Sequence, residues 1–328
     1  MTNTLDFSSF IKILGKGKTG SRALDQQQAY QAMQMILAKQ VEDVQLGAFL
    51  ALLRVKEETS EELAGFTTAA REHINAPKIA VDFDWPSYAG KKTQHPWYIL
   101  SALLLAQNGL RVFMHGALGT SNDRLYTEHA LAALNITPCQ NWEDVTQSLN
   151  QSNFAFMPTQ RFSLELTKLL ELKKLLALRS SVHSMARLFN PFNATTSLQG
   201  IFHPNYAPAH QQASVLLGQK NCVSFKGQNG EAEIRLEADS KLAMVRDNEA
   251  INHIWTRSLS AKPVDIAPSG DHIAAVWAND SQDQLGESIV INTVAIALYA
   301  HNVAANQDAA ISIARRCWES RISSPSSS

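Results

Sequence analysis

Basic side chains are concentrated in the middle of this chain, where they could bind phosphate groups. Between Gln151 and Lys226 there are eight lysines and arginines and two acidic residues, a local surplus of six positive charges. The whole chain of 328 residues has 29 basic and 30 acidic residues, so its formal charge is only −1. A basic stretch on an otherwise acidic protein is typical of a groove that contacts the backbone of nucleic acid. A solvated helix face gives the same pattern, and that alternative stays open at this point.

The candidate phosphate contacts come from this segment and from one earlier loop: Lys91, Lys92, Arg161, Lys168, Lys173, Lys174, Arg179 and Arg187. Lys173 follows Leu169 by four positions and precedes Leu176 by three, which puts it on the apolar stripe of its helix. An ammonium there needs an anion or a solvent channel, so we expect Lys173 to face a cleft. Arg179 is either a bidentate phosphate contact or one partner of an interdomain salt bridge. We interpret Arg124 as a surface arginine that could extend the groove.

Several classes of site are not supported by the sequence. Cys139, Cys222 and Cys317 lack CxxC or HxxxH spacing, so we expect no disulfide framework, no metal site and no cofactor. The GKGKTG segment at 15–20 lacks the first glycine of a P-loop and a preceding strand, and we interpret it as a basic loop. No helix-turn-helix, zinc-finger or RNP motif is present, so sequence-specific readout is not supported, and any single- or double-stranded nucleic acid would be bound without sequence preference.

The composition indicates a packed protein rather than a disordered one. With 45% hydrophobic and 18% charged residues, the chain can bury a sizeable core in one or two domains. The N-terminus has no charged segment followed by an apolar run, and the longest apolar stretch, 289–300, is too short to cross a bilayer. We therefore expect a soluble, cytoplasmic protein with no membrane partner.

Two different periodicities divide the chain near residue 76. Apolar residues recur at helical spacing from Leu24 to about Ile74, which predicts three helices, and Thr59 with Glu62 forms a capping box for the third. After Pro77, strands are predicted at 79–83, 112–114, 154–157 and 221–225. Helices are predicted between and after them at 96–106, 125–133, 164–178, 211–217, 287–302 and 308–320, before a frayed end at 323–328.

This alternation predicts the fold class and the domains. Strands that alternate with helices indicate an α/β protein with a mainly parallel central sheet. We predict a small all-α N-terminal domain at 1–76, joined by helices from about 160–187, and a larger α/β domain at 77–328.

The helical segment AYQAMQMILAKQVEDVQLGAFLALLRVKEETSEELAGF, residues 29–66, resembles a known signature. It is similar to the helical domain of the anthranilate phosphoribosyltransferase and pyrimidine nucleoside phosphorylase superfamily. The resemblance continues through MHG at 114–116, FAFMP at 154–158, LALRSSVHSMARLFNP at 176–191 and the closing helices. It implies a helical domain that faces an α/β domain across a cleft, and a homodimer built through the helical domain.

The motifs that bind phosphoribosyl diphosphate in that family are altered in this chain. Where the enzymes have GTGGD, residues 88–92 are YAGKK, so only Gly90 remains of the glycine turn. His115 and Gly116 match the start of the family's HGNR motif, which continues here as ALGTS at 117–121. The backbone amides that approach a diphosphate closely are therefore expected to be lost.

The magnesium-binding motif is also incomplete. The family's Asp-Glu pair aligns with Ala232 and Glu233, so one of two converging carboxylates is absent. The resemblance therefore implies that anthranilate phosphoribosyltransferase activity is lost. The altered segments YAGKK, RSSVHSMARLFNP and KGQNGEAE look like the YbiB-like branch of the superfamily, for which the resemblance implies nucleic-acid binding.

The cleft is predicted to hold an anion pocket formed by Tyr88, Gly90, His115, Gly116, Lys173, Arg179 and His183. Lys173 matches the family's anthranilate-binding arginine, and His183 and Arg187 replace a neutral Asn and Pro. Tyr88 is also the preferred candidate for stacking on a base.

Three functions compete. The first is a non-catalytic nucleic-acid-binding homodimer that uses the cleft and its basic rim. The second is a glycosyltransferase, either a phosphoribosyltransferase or a nucleoside phosphorylase, that uses His115, Lys173, Arg179 and His183 on an unidentified substrate. The third is a regulatory protein whose cleft binds a small anion without turnover.

Overall fold

The computed structural model describes residues 6–17, 19–119 and 123–322. The end of the altered HGNR motif at 120–121, the following Asn122, Lys18 in the basic loop and the predicted frayed end at 323–328 lie outside the described residues.

The N-terminal region folds as a bundle of four helices: α1 Ser8–Gly15, α2 Gln26–Leu37, α3 Asp43–Lys56 and α4 Ser60–Ile74. The three predicted helices are confirmed, and α1 was not predicted. Local capping explains the helix starts, because Asp25 and Thr59 each form a capping box, with Gln28 and Glu62 at the third helical position. Apolar faces of the four helices meet in one core with Phe49 at its centre.

The second region contains a seven-stranded sheet with the order β3-β2-β1-β4-β5-β6-β7. Its strands are β1 Phe83–Ser87, β2 Val112–Gly116, β3 Phe154–Pro158, β4 Thr196–Ile201, β5 Asn221–Lys226, β6 Ser240–Arg246 and β7 Glu249–Trp255. Strands β1 to β5 pair with one another in parallel, whereas the β5–β6 and β6–β7 pairs are antiparallel. The predicted fold class, a small helical domain with a larger α/β domain and a mainly parallel sheet, is confirmed.

The strand predicted at 79–83 is wrong by several residues. The sheet strand is Phe83–Ser87, whose sequence FDWPS hides it because Asp84, Pro86 and Ser87 are unusual in a buried strand. Pro86 has no N–H to donate, and it lies where β1 no longer pairs with β4, since that pairing covers only Phe83 and Asp84.

The helices that follow the bundle along the chain are α5 Trp97–Gln107, α6 Thr127–Ala133, α7 Trp142–Ser152, α8 Thr159–Phe162, α9 Leu164–Leu176, α10 Ser181–Met185, α11 Ala207–Leu216, α12 Gly270–Trp277, α13 Gln284–Ala300 and α14 Gln307–Glu319. The apolar stretch at 289–300 is buried within α13, which packs against α5. Among the described residues, no helix combines the length and apolarity that a membrane span requires.

The segment from α9 to the end of α10 packs with the helical bundle. Leu166 and Leu170 of α9 and Met185 of α10 belong to the same buried core as Phe49 and Phe66 of the bundle. This segment therefore connects the bundle to the carboxyl ends of the sheet strands, where the candidate site lies.

Candidate anion-binding site

The site lies where the strand order reverses. The chain proceeds from β1 outward to β3 on one side and from β4 outward to β7 on the other, so β1 and β4 flank the switch point. Open α/β sheets bind ligands in the crevice outside the carboxyl ends of such strands. Here β1 and β4 pair for only two residues and then diverge. The loop after β1 enters this crevice at Tyr88, and it turns at Gly90, whose φ of +66° favours glycine.

A carboxylate of the protein itself accepts hydrogen bonds from the backbone amides of that loop. Glu231 is fully buried, and its Oε1 accepts the backbone N–H groups of Ala89 at 2.8 Å and Gly90 at 2.6 Å. Gly200 permits this approach, because a Cβ on Gly200 would lie 2.3 Å from the nitrogen of Ala232. The loop therefore keeps two amide donors on an anion, and that anion belongs to the protein itself.

Lys91 corrects a sequence prediction. It was predicted to contact nucleic acid, but its side chain is fully buried and its ammonium donates to the buried carboxylate of Glu233. The other carboxylate oxygen of Glu233 accepts the backbone N–H of Tyr98 at 2.9 Å. Burial raises the pKa of Glu233, and the charge of Lys91 opposes that rise. Glu233, the one remaining carboxylate of the family's magnesium pair, is thus satisfied by a lysine.

The predicted residues Tyr88 and His115 form part of a buried hydrogen-bonded chain. His115 bonds through Nε2 to Asp84 Oδ1 at 3.1 Å and through Nδ1 to the Tyr88 hydroxyl at 2.8 Å. That hydroxyl also lies 3.0 Å from Thr159 Oγ1, and burial raises the pKa of Tyr88. The Tyr88 ring packs edge-on against His115. Gly116 is required by close packing, since a Cβ there would lie 1.9 Å from the Ser87 carbonyl oxygen.

A cavity of about 230 Å³ adjoins this crevice, between the helical bundle and the α/β region. We call Arg54, Arg124, Arg179 and Arg187 the arginine cluster. They line the cavity together with Ser180, His183, Ser184, Ile201, Phe202, His203, Tyr206 and His210. Within the described ranges, no carboxylate lines it. Four guanidinium groups therefore face one space, and the charge of the buried Glu231 beside it offsets part of the effect of burial on the pKa of Arg187.

Three members of the arginine cluster use part of their donor capacity on the protein. Arg54 donates to the Tyr206 hydroxyl at 2.6 Å, and Arg124 donates to the carbonyls of Ala89 and Gly90, both at 3.1 Å. Arg187 is 8% exposed and donates to the carbonyls of Gly200 and His183, each at 2.6 Å.

Arg179 differs from the other three because it forms no hydrogen bond or ion pair with any described residue. Burial lowers its pKa, and the nearby charges of Arg124 and Arg54 lower it further. Like charges held together without a counterion destabilise one another, and a bound anion would relieve that repulsion.

Two further polar groups on the cavity wall lack partners in the described part of the chain. Ser180 Oγ and His183 Nδ1 are buried and make no hydrogen bond there. Burial, followed by the charges of Arg187 and Arg179, lowers the pKa of His183 to about 4, so its ring is neutral at pH 7. Buried polar groups are usually paired, so these two atoms are available to bond a polar ligand.

Lys173 lies on the rim of the cavity and not inside it, which corrects a second prediction. Its side chain is exposed in the last turn of α9. Partial burial lowers its pKa, the charges of Arg179 and Arg124 lower it further, and the charge of Asp123 opposes this. Lys173 therefore adds to the same positive potential from the solvent side.

The remaining predicted contacts are exposed and do not line the cavity. Lys92 pairs with Asp123 at 3.2 Å, and Lys174 pairs with Glu171 at 3.1 Å. Arg161 in α8 and Lys168 in α9 are exposed. Arg54, Tyr206 and His210 were not predicted from the sequence, and Arg124 was interpreted as a surface residue. The sequence signal that could have identified Arg54 is its position in the helical signature at 29–66, which belongs to the domain expected to face the cleft.

A second cluster has the residue types of a metal site. His95, His272 and Asp283 bring three ligand-type atoms within 4.8 Å of one another. However, His95 Nδ1 accepts the N–H of Ser269 at 3.0 Å, which places the proton of a neutral ring on Nε2. His272 Nε2 lies 3.0 Å from Asp283 Oδ2, and the two imidazoles stack with centroids 4.3 Å apart. These hydrogen bonds join His95, which precedes α5, to the start of α12, and they join α12 to the start of α13.

Comparison with known proteins places the chain among relatives. Residues 8–74 match the helical bundle domain and residues 99–320 match the a/b domain of a glycosyl transferase family. YbiB of Escherichia coli is 31% identical over 208 residues, which cover 62% of this chain and 65% of YbiB. The anthranilate phosphoribosyltransferase of Burkholderia cenocepacia is 24% identical over 298 residues, 86% of this chain and 85% of that enzyme.

A solved structure shows the same fold. Anthranilate phosphoribosyltransferase (TrpD) from Thermus thermophilus superposes with a TM-score of 0.78 at 20% identity, over 95% of this chain and 94% of that one. The two matched domains, their order and the shared architecture agree, and the chain is a member of the TrpD-related glycosyl transferase family.

Proposed function

We propose that this protein is a non-catalytic, sequence-independent nucleic-acid-binding homodimer. In this proposal the arginine cluster and Lys173 form the centre of a phosphate-binding surface. The observation that carries it is the arginine-lined cavity, which has no carboxylate among its described lining residues and in which Arg179 has no hydrogen-bond or ion-pair partner among them. Each cation that neutralises a phosphate releases counterions, which favours binding without reading the bases.

The crevice next to the cavity argues against phosphoribosyl transfer. Catalysis of that kind needs donors and metal ligands that are free to stabilise a departing diphosphate. In this chain the loop amides of Ala89 and Gly90 are held by Glu231, and Glu233 is held by Lys91. A diphosphate would have to displace both internal partners.

A glycosyltransferase with an unidentified substrate is the second candidate. The alignment with anthranilate phosphoribosyltransferases over 86% of the chain favours it. The buried Asp84–His115–Tyr88 chain would then serve catalysis.

A binding assay and a turnover assay test the two candidates together. We expect two unrelated single strands of about 20 nucleotides to bind with similar affinity, and that affinity to fall steeply with salt. We expect no product when the protein is supplied with phosphoribosyl diphosphate, magnesium and anthranilate. Failure of both strands to bind at low salt would overturn the proposal. Product formation that Glu233→Gln abolishes would overturn the non-catalytic assignment.

A further inference from the structure

We propose that the arginine-lined cavity binds a terminal phosphomonoester, so that a nucleic-acid strand with a phosphorylated end is held by that end. This inference rests on the proposed nucleic-acid-binding function and adds the chemistry of the group that enters the cavity. The same chemistry could come from a free nucleotide, and the experiment below separates the two sources.

The charge of the cavity fits a dianion. Arg179 makes no bond to any described residue, and the Nη2 groups of Arg54, Arg124 and Arg187 are also without hydrogen bonds in the described part of the chain. A phosphomonoester carries a charge of about −1.5 to −2 at pH 7 and presents three acceptor oxygens, because its second pKa is about 6. A phosphodiester within a strand carries only one negative charge. Converging guanidinium groups therefore favour the terminal group.

The size of the cavity points the same way. A volume of about 230 Å³ is below the roughly 300–1,000 Å³ of pockets that bury drug-sized ligands. It accommodates a phosphate group with its sugar. The Phe202 side chain on the lining is 49% exposed, so it can stack against the base that follows the terminal sugar.

The unpaired polar atoms on the wall match a phosphate group. Ser180, which is 4% exposed, has a hydroxyl without a partner in the described chain, and the same holds for His183 Nδ1. Both atoms can donate a hydrogen bond to an oxygen acceptor, because a hydroxyl rotates freely and a neutral imidazole carries one N–H. A phosphate in the cavity would satisfy both groups and the guanidinium of Arg179.

The experiment compares 3′-labelled single strands of about 20 nucleotides that end in a 5′-phosphate or a 5′-hydroxyl, by fluorescence anisotropy at fixed salt. We expect the phosphorylated strand to bind about tenfold more tightly, which corresponds to about 1.4 kcal/mol. Arg179→Gln should remove that difference and leave residual binding of the hydroxyl strand, whereas Lys220→Gln, an exposed control outside the cavity, should preserve it. Arg179→Lys keeps the charge without the planar fork and should give an intermediate preference.

Free adenosine monophosphate and inorganic phosphate form the competing arm. If the strands bind and both ends bind equally, the inference is overturned and the proposed function stands. If neither strand binds but the mononucleotide does, the phosphomonoester site stands and the proposed function fails. If the mononucleotide lowers the apparent affinity of the phosphorylated strand to that of the hydroxyl strand, the inference is supported.

Discussion

Gly90 donates its backbone N–H to the buried carboxylate of Glu231 at 2.6 Å. Glu231 lies 141 positions further along the chain, so the fold brings an acidic side chain to the loop that follows β1. The loop thus retains the geometry of an anion-binding turn, and its anion is supplied from within the protein. The chain shares its fold with its relatives, whereas we propose that its phosphate-binding groups are those of the arginine cluster.

Replacing Glu231 tests the internal anion. Glu231→Ala leaves the amides of Ala89 and Gly90 buried without acceptors, so the free energy of unfolding should fall by about 2–4 kcal/mol. Glu231→Gln retains one acceptor oxygen and should cost less. Urea denaturation of the two variants measures both values. Equal stability of Glu231→Ala and the unchanged protein would contradict the assignment.

The buried pair of Lys91 and Glu233 predicts strong coupling. Lys91→Met leaves an uncompensated buried carboxylate and should cost about 3–5 kcal/mol. The double variant Lys91→Met/Glu233→Gln removes both charges and should recover part of that loss. A double-mutant cycle by urea denaturation measures the interaction. Additive effects of the two changes would mean that the side chains do not form the pair.

His210 predicts a loss of stability on acidification. It is 1% exposed and bonds through Nδ1 to Gln199, and burial, with a smaller effect from Arg187, lowers its pKa to about 3. The unfolded chain binds a proton at this histidine near pH 6.5 and the folded chain does not, so stability falls as the pH drops below 6.5. Between pH 7 and 5 this histidine should account for about 2 kcal/mol of that loss.

His210→Gln should therefore flatten the pH dependence of the unfolding free energy in that range. His129→Gln, at an exposed position in α6, is the matched control for the substitution itself. An identical pH profile for His210→Gln and the unchanged protein would show that His210 does not stay neutral in the fold.

The proposed homodimer predicts a sedimenting mass of about twice the 36.1 kDa chain at micromolar concentration. Val44 and Val55 of α3 are 79% and 85% exposed, so the helical bundle presents apolar side chains that a second copy could cover. Val44→Lys/Val55→Lys should shift the protein toward the monomer mass. A monomer for the unchanged protein would remove the dimer from the proposal.

Much of the fold could be predicted because its signals are local. Capping boxes and helical periodicity fix α2, α3 and α4, and apolar runs fix β2, β3 and β5. The first strand was misplaced because Pro86 is tolerated where β1 no longer pairs with β4, and the buried Asp84 is tolerated because His115 and Ser197 bond to its carboxylate. Both conditions depend on the sheet and not on the segment.

The candidate site was harder to predict because its side chains are defined by distant partners. Lys91 resembled a surface lysine, and its partner Glu233 lies 142 positions away. Arg54 belongs to the helical bundle and reaches the cavity only after the two regions pack together. The positive character of the middle segment was predicted, whereas the identity of the cavity-lining cations needed the tertiary structure.

The most direct test of the central claim is the salt dependence of single-strand binding by two charge-matched double variants. Lys173→Gln/Arg179→Gln removes two cations at the cavity, and Lys78→Gln/Lys220→Gln removes two exposed lysines that do not line it. We predict that the slope of log affinity against log salt falls by about 1.4 for the first variant, about 0.7 per lost contact, and stays unchanged for the second. Equal slopes for both variants and the unchanged protein, with all three folded by circular dichroism, would contradict the claim that this surface binds phosphate.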